Sequence, residues 1–248
     1  YNFCMNKRKI VLNSIDKNVT CDNIHTFFDK KEDSFYITDF KLEELSLNVS
    51  VIISIQDKED YELLMKTIQF IYNTNEEEKD NKIFPYIYRY FKCTDTVNDN
   101  FYLLHDKYTN IDSVQLDFIE NLTDWYSFTF QICFILYFLH INNITTIKPL
   151  ELSDFCIIKL NSSFSHKYKL DEEDYIVKSN FLIRLWNPKL LFTFSNNSDL
   201  SSYLFDEIQK LVPEPPTKLL NLFNKLNFNI AGTPEYLNEI FGKKSNDI

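Results

Sequence analysis

Hydrophobic and polar positions alternate over residues 34–56 in the way a half-buried strand requires. Ser34–Phe40 (SFYITDF) is short and aromatic, and Leu47–Ile55 (LNVSVIISI) sets Val49, Val51, Ile53 and Ile55 on one face. The period then changes. Leu64, Ile68 and Ile71 recur at i, i+4 and i+7 behind Asp57 or Asp60, either of which can cap a helix. Asn73–Lys82 is polar and acidic and predicts an exposed loop. Tyr86–Cys93 (YIYRYFKC) and Phe101–Leu104 (FYLL) predict two further strands, joined by a polar turn over 94–100. A linker follows, with a short helix around Val114–Asn121.

Trp125–Ile141 (WYSFTFQICFILYFLHI) is apolar nearly all round. A membrane span needs about 20 apolar residues. This run is shorter and carries Ser127, Thr129, Gln131 and His140, so it predicts a helix buried in a globular core. Ile144–Leu152 is irregular around Pro149, and Phe155–Leu160 (FCIIKL) predicts a strand. Residues 161–174 form a polar excursion ending in Asp171-Glu-Glu-Asp. Tyr175–Lys178 and Phe181–Trp186 predict strands, closed by Asn187-Pro188. A helix over Asp199–Leu211 places Leu200, Leu204 and Ile208 in register. Pro213, Pro215 and Pro216 break it, and a last amphipathic helix, Leu219–Leu226, precedes a polar tail. Segregated strands and helices give an α+β class rather than alternating α/β.

Composition sharpens this picture mainly through what is missing. The 248 residues include 2 glycines, Gly232 and Gly242, where average usage gives roughly 17. Residues 1–231 therefore hold no glycine-rich phosphate loop and no nucleophile elbow. Alanine occurs once, at Ala231, while Asn, Ile, Lys, Phe and Tyr abound, a bias of AT-rich coding. Hydrophobic residues make up 44% and aromatics 16%, which excludes general disorder. A net charge of −10 with no basic patch disfavours nucleic acid. Cys4, Cys21, Cys93, Cys133 and Cys156 are odd in number and widely spaced, without zinc spacing. They predict free, mostly buried thiols of a reducing compartment. The chain begins at Tyr1 rather than Met, which leaves room for a missing leader or further domain.

The order of elements, with certain local strings, resembles the protein-kinase-like fold. Gln131–Asn143 (QICFILYFLHINN) resembles the buried helix before a kinase catalytic loop, and Ile144–Ile158 (ITTIKPLELSDFCII) resembles that loop and its strand. In this frame the catalytic His falls on Ile147, Arg on Lys148, the catalytic Asp on Pro149 and the metal-binding Asn on Asp154. Phe181–Lys189 (FLIRLWNPK) is similar to the strand that ends in Asp-Phe-Gly, with Asn187 at the aspartate. SVIISI resembles the strand carrying the nucleotide-binding lysine, whose place Ser54 takes. Glu62 stands for the helix glutamate and Asp199 for the structural aspartate of the large lobe. FYLLHDKY resembles the strand entering the hinge. The long polar insert looks most like kinase-related proteins of large nucleocytoplasmic DNA viruses. The resemblance implies two lobes: a β-rich N-lobe with one helix over 1–104, a hinge-like linker over 105–113, and a mainly helical, reduced C-lobe over 114–248.

The departures carry the functional expectation. Phosphoryl transfer needs an acceptor for the substrate proton, an acid on the metal and a lysine on the phosphates. Pro149, Asn187 and Ser54 supply none of these, and no glycine is available for a phosphate-covering loop. The resemblance therefore implies a pseudokinase: not an enzyme, with no cofactor, no nucleotide and no catalytic or metal residue. It would act as a binding or structural scaffold for a viral or host protein, in the host cytoplasm or the virion. The alternatives are a divergent active kinase or transferase using Asp154 with Glu151 or Asp199, and a non-kinase α+β virion or assembly protein.

Other candidate chemistry is weaker. His25, His105, His140 and His166 lack partners at a telling spacing, and Cys133 and Cys156 sit in apolar runs where thiols are inert packing. Glu76-Glu77-Glu78 and Asp171–Asp174 lack the ligand spacing of a calcium loop. Tyr86, Tyr88, Tyr90 and Phe91 fit strand core with exposed tyrosine better than base stacking.

Overall fold

The structure is a computed structural model that describes residues 2–29, 35–42, 45–53, 58–77, 83–94, 99–111, 116, 119, 121–171, 173–187, 191–194, 204–212 and 215–241. The chain divides into two compact units, Tyr1–Tyr108 and Thr109–Ile248. Its class is mixed α+β.

Unit 1 is built on a four-stranded antiparallel sheet. Strands β1 (Phe35–Leu42), β2 (Leu45–Ile53), β3 (Ile87–Thr94) and β4 (Asp99–His105) lie in the order β1-β2-β4-β3. Strict alternation in β2 sends Leu47, Val49 and Val51 to one face and Asn48, Ser50 and Ile52 to the other, and all six are buried. A sheet buried on both faces needs two covers. One is helix α2 (Lys58–Glu77), whose Leu64, Ile68 and Ile71 are buried; its Tyr61 packs on Phe101 of β4, with ring centroids 5.6 Å apart. The other is helix α1 (Asn2–Asn18) with the 3₁₀ turn Ile24–Phe27. Val11, Ile15, Val19 and Ile24 form one cluster with Phe40, Leu42, Val49, Val51, Tyr102 and Leu104.

Two expectations for this unit change. The single helix becomes two, because α1 carries its apolar residues at a spacing interrupted by Lys, Asn and Asp. Asn73–Glu77 continues α2 instead of opening a loop; helix propagation adds a hydrogen bond per residue and favours extension, and the buried Thr74 hydroxyl donates to the Phe70 carbonyl at 2.9 Å. The thiol reading is corrected as well. Cys21 and Cys93 form a disulfide, with Cα atoms 5.4 Å apart, while Cys133 and Cys156 are free and buried.

Unit 2 is organised by helix α3 (Leu122–Ile141). Asn121 caps its start by accepting from the Asp124 N–H at 3.0 Å. The chain leaves through Asn143, held at φ 53°, a left-handed geometry that Asn tolerates. The helix is apolar all round because neighbours surround it: strands β6 (Ile144–Thr146) and β8 (Glu173–Leu185) and helix α6 (Thr233–Phe241) all pack on it. No helix among the described residues is long and apolar enough to cross a membrane.

Strand β8 pairs with β7 (Phe155–Leu170), and β7 with the short β5 (Thr109–Asn110); β6 pairs separately with β9 (Phe192–Phe194). The polar excursion expected over 161–174 is thus strand out to Leu170, followed by a tight turn at Asp171, φ 53°. Likewise the strands expected over Tyr175–Lys178 and Phe181–Trp186 merge into the single strand β8, which ends at Leu185. A polar strand reads as loop because burial is what makes alternation visible, and the middle of β7 is exposed on both faces. Residues 160–163 bulge between the pairs Lys159–Phe181 and Phe164–Ser179.

Helices α4 (Leu204–Leu211) and α5 (Thr217–Phe228) agree with the apolar periodicity, and α6 replaces the expected polar tail up to Phe241. One of the two glycines has a clear steric reason here. A Cβ on Gly232 would lie 2.4 Å from the Tyr236 ring, which rests on that backbone. The helix expected over Val114–Asn121 and the first part of that over Asp199–Leu211 lie largely outside the described residues.

Candidate functional site

Two of the residues that the kinase-like frame singles out in unit 2, Asp154 and Asn187, meet at the end of β8. A 3₁₀ turn, Leu152–Asp154, precedes β7, and its leading N–H groups have no partner within the turn. Side chains supply them. Asp154 Oδ2 accepts from the Glu151 N–H at 2.9 Å, and Glu207 Oε2, from α4, accepts from the Leu152 N–H at 3.0 Å. Asp154 then reaches across to the strand end. Its Oδ1 accepts from Asn187 Nδ2 at 2.8 Å, and its main-chain oxygen accepts from the Trp186 N–H at 2.9 Å. Two positions 33 residues apart, matched separately to a kinase metal-binding pair, therefore touch.

Asp154 is 7% exposed. Burial raises its pKa; hydrogen bonds from Glu151 and Asn187 oppose that rise, while the charges of Glu151 and Glu207 add to it. Both oxygens serve as internal acceptors, so the carboxylate pins the loop to the end of β8. No group of three or more His, Cys, Asp or Glu side chains among the described residues converges to hold a metal.

The other expected positions scatter. Ile147 is 54% exposed in the turn after β6, where its N–H donates to the Leu191 carbonyl at 3.2 Å. Pro149 is exposed, and Glu62 is exposed on α2. Ser54 and Asp199 lie outside the described residues, as do Pro188 and Lys189 of the Asp-Phe-Gly frame.

Unit 1 holds a polar pair that sequence reasoning missed. Ser50 on β2 and His105 on β4 are both fully buried, with Ser50 Oγ 2.7 Å from His105 Nε2. His105 Nδ1 lies 3.0 Å from the Asp106 carbonyl, which can only accept. Nδ1 therefore carries the proton, and Nε2 accepts from the serine hydroxyl. Burial pushes the His105 pKa down to about 4, against the Asp106 hydrogen bond, so the ring is neutral at pH 7. Tyr108 stacks on it at 4.9 Å, and the Tyr108 N–H donates to Asn48 Oδ1 at 2.9 Å. A serine beside a neutral histidine is the start of a nucleophile–base arrangement. With both groups sealed from solvent, it is instead a satisfied polar insert in a packed face. The available signal was strand parity, since Asn48, Ser50 and Ile52 share a face.

A third polar group lies between α3 and the hairpin. Gln131 Oε1 accepts from the Ile183 N–H at 2.9 Å and from the Tyr168 hydroxyl at 3.2 Å. Ser127 Oγ donates to the Lys178 carbonyl at 3.1 Å. Ser179 Oγ bonds both the N–H and the carbonyl of Phe181. Among the described residues β8 is an edge strand, and these side chains occupy its edge groups between 178 and 183. That arrangement blunts the edge against further pairing. Burial raises the Tyr168 pKa to about 12, so the phenol stays a donor.

No family model matches the chain. It is similar to the uncharacterized protein R691 of Acanthamoeba polyphaga mimivirus, with 21% identity over 274 residues covering 96% of this chain and 99% of the viral protein. Among solved structures it is similar to the kinase domain of PF14_0431, with 10% identity and a TM-score of 0.45 over 71% of this chain. The chain spans about half of that kinase chain, 54%.

Proposed function

We propose that this chain is a catalytically inactive, kinase-like protein of a large DNA virus that serves as a binding or structural scaffold. The observation that carries the reading is the Asp154–Asn187 hydrogen bond. In kinases an asparagine of the catalytic loop and the aspartate of Asp-Phe-Gly hold the metal ions. Here the residue types are exchanged between the two positions, and the pair closes on itself. Pro149, at the catalytic aspartate, has no group to accept a proton, and exposed Ile147 replaces the loop histidine. Beyond α1 and its 3₁₀ turn, the strand–strand–helix–strand–strand order of unit 1 supports the same frame. The mimivirus relative supports a viral origin, and the host cytoplasm or the virion is the expected place of action.

The test is thermal stability with Mg-ATP and with Mn-ATP. A nucleotide that binds the native state raises the midpoint; the expected result is no shift. A clear rise removes the no-nucleotide part. Phosphate transfer that disappears in Asp154→Ala removes the reading altogether.

One observation favours a second reading, a divergent transferase. Asp154 has Glu151 and Glu207 close enough to raise its pKa, a grouping that general acid–base work also uses. Transfer of labelled phosphate to basic protein substrates supports it, and no transfer removes it.

A further inference from the structure

Among the described residues, helix α1 and the turn after it cover one face of the unit 1 sheet with Val11, Ile15, Val19 and Ile24, backed by the partly buried Leu12, Phe27 and Phe28. What they cover is extensive and apolar, including Phe40, Leu42, Leu47, Val49, Val51, Tyr102 and Leu104. Among the described residues the polar ties of this cover to the sheet are slight. Asp16 Oδ1 meets Arg89 Nη2 at 3.3 Å, with both side chains about half exposed, and such a pair contributes little. The hydrogen bonds around Asn23 run to Thr20 and Asn18, within the cover itself. The strongest link is covalent. Cys21, in the turn between α1 and Ile24, is bonded to Cys93 on β3, an edge strand of the sheet. Cys21 is exposed and Cys93 half-buried, so an external thiol can reach the bond. The free thiols of Cys133 and Cys156 are fully buried.

We propose that the Cys21–Cys93 disulfide is a redox latch that fastens the α1 cover over this sheet face. The co-reactant is a dithiol reductant. One of its thiolates attacks the exposed Cys21 sulfur, the S–S bond breaks, and Cys93 leaves as a thiolate. The second thiol of the reductant then attacks the mixed disulfide and releases Cys21. Two electrons pass to the chain, the reductant ends as its own disulfide, and Cys21 and Cys93 each end with one proton. The freed cover lifts and bares the apolar face. In a reducing cytoplasm the latch is open, and in an oxidising compartment or particle it is closed. The latch does not rest on the kinase-like reading, and its test involves no nucleotide.

The test is amide hydrogen exchange of the whole chain, oxidised and then reduced with dithiothreitol, with thiol alkylation and mass analysis to establish the state of each cysteine. The expected result is about a tenfold or greater acceleration over residues 11–24 on reduction, with α3 and the β7–β8 hairpin unchanged. Reoxidation restores protection. Cys93→Ser shows the fast exchange with or without dithiothreitol. Three results overturn the proposal: labelled Cys21 and Cys93 in the native oxidised chain, unchanged exchange over 11–24 after full reduction, or acceleration spread through both units.

Discussion

The two units solve the same problem, a sheet that must be covered, in opposite ways. In unit 1 the sheet is the apolar centre and two helices close it, with the α1 side secured by a disulfide. In unit 2 the apolar centre is a helix, and the long β7–β8 hairpin packs Tyr168 and Tyr175 on its Phe130 and Phe134 and adds a few polar anchors. Polar side chains follow the same division. Ser50 and His105 satisfy each other inside unit 1, whereas Gln131 and Ser127 spend their hydrogen bonds on strand backbone. The lesson is that a buried polar residue is read from the group it satisfies, and neither arrangement leaves a reactive group open to substrate.

The largest effect should come from removing the covalent tie. Its ends are 72 residues apart, which on the chain-entropy account contributes about 4 kcal/mol. Cys21→Ser/Cys93→Ser should lower the denaturant midpoint of unit 1 and leave unit 2 unchanged, read by residue-resolved exchange. Equal loss in both units would erase the contrast between them.

Acid should strike unit 1 next. His105 has its pKa lowered from 6.5 to about 4, so the unfolded state binds the proton first as pH falls. Its contribution is fully present above pH 6.5 and is lost as pH falls from there to about 4. The total loss is about 3 kcal/mol. Unfolding titrations at intervals over that window should show the slope, and His105→Phe should flatten it. An unchanged slope in the variant would remove His105 as its source.

A smaller loss is expected at the helix–hairpin contact of unit 2. Gln131→Leu takes the acceptor from the Ile183 N–H and one hydrogen bond from the Tyr168 hydroxyl, and should cost about 2 kcal/mol in chemical denaturation. A neutral outcome would mean that packing, rather than the polar anchors, holds the hairpin to α3.

Gly232→Ala should cost about 1 kcal/mol, because the Tyr236 ring must shift off the added methyl. Combining it with Tyr236→Ala should give less than the sum of the two single costs. Strict additivity would remove the ring as the cause.

Much of this fold was legible in the sequence wherever apolar or aromatic residues recur at a strand or helix spacing. β2 of unit 1, the extent of α2 up to Ile71, and α5 follow from apolar period, and the other strands of that sheet from aromatic content. The buried character of α3 follows from its length and its four polar interruptions. The middle of β7 was not legible, because its exposed residues carry no period. Helix α1 and helix α6 were missed for a related reason: their apolar residues are sparse and gain meaning only against the surface they cover. For the candidate site, the frame placed Asp154 and Asn187, but nothing local announced that they would touch.

The sequence by itself determined what this protein lacks. With no glycine before residue 232, and with Pro149 and Asn187 at the positions the kinase-like frame marks, the chemistry of those places is limited by residue type before any folding occurs. Tertiary structure alone decided the pairings: Cys21 with Cys93, Ser50 with His105, Asp154 with Asn187 and Gln131 with the edge of β8. Residue identity fixes which bonds a side chain can make. Which bond it does make depends on the partner that distant segments bring within about 3 Å, and that distance is set by the packing of the whole chain.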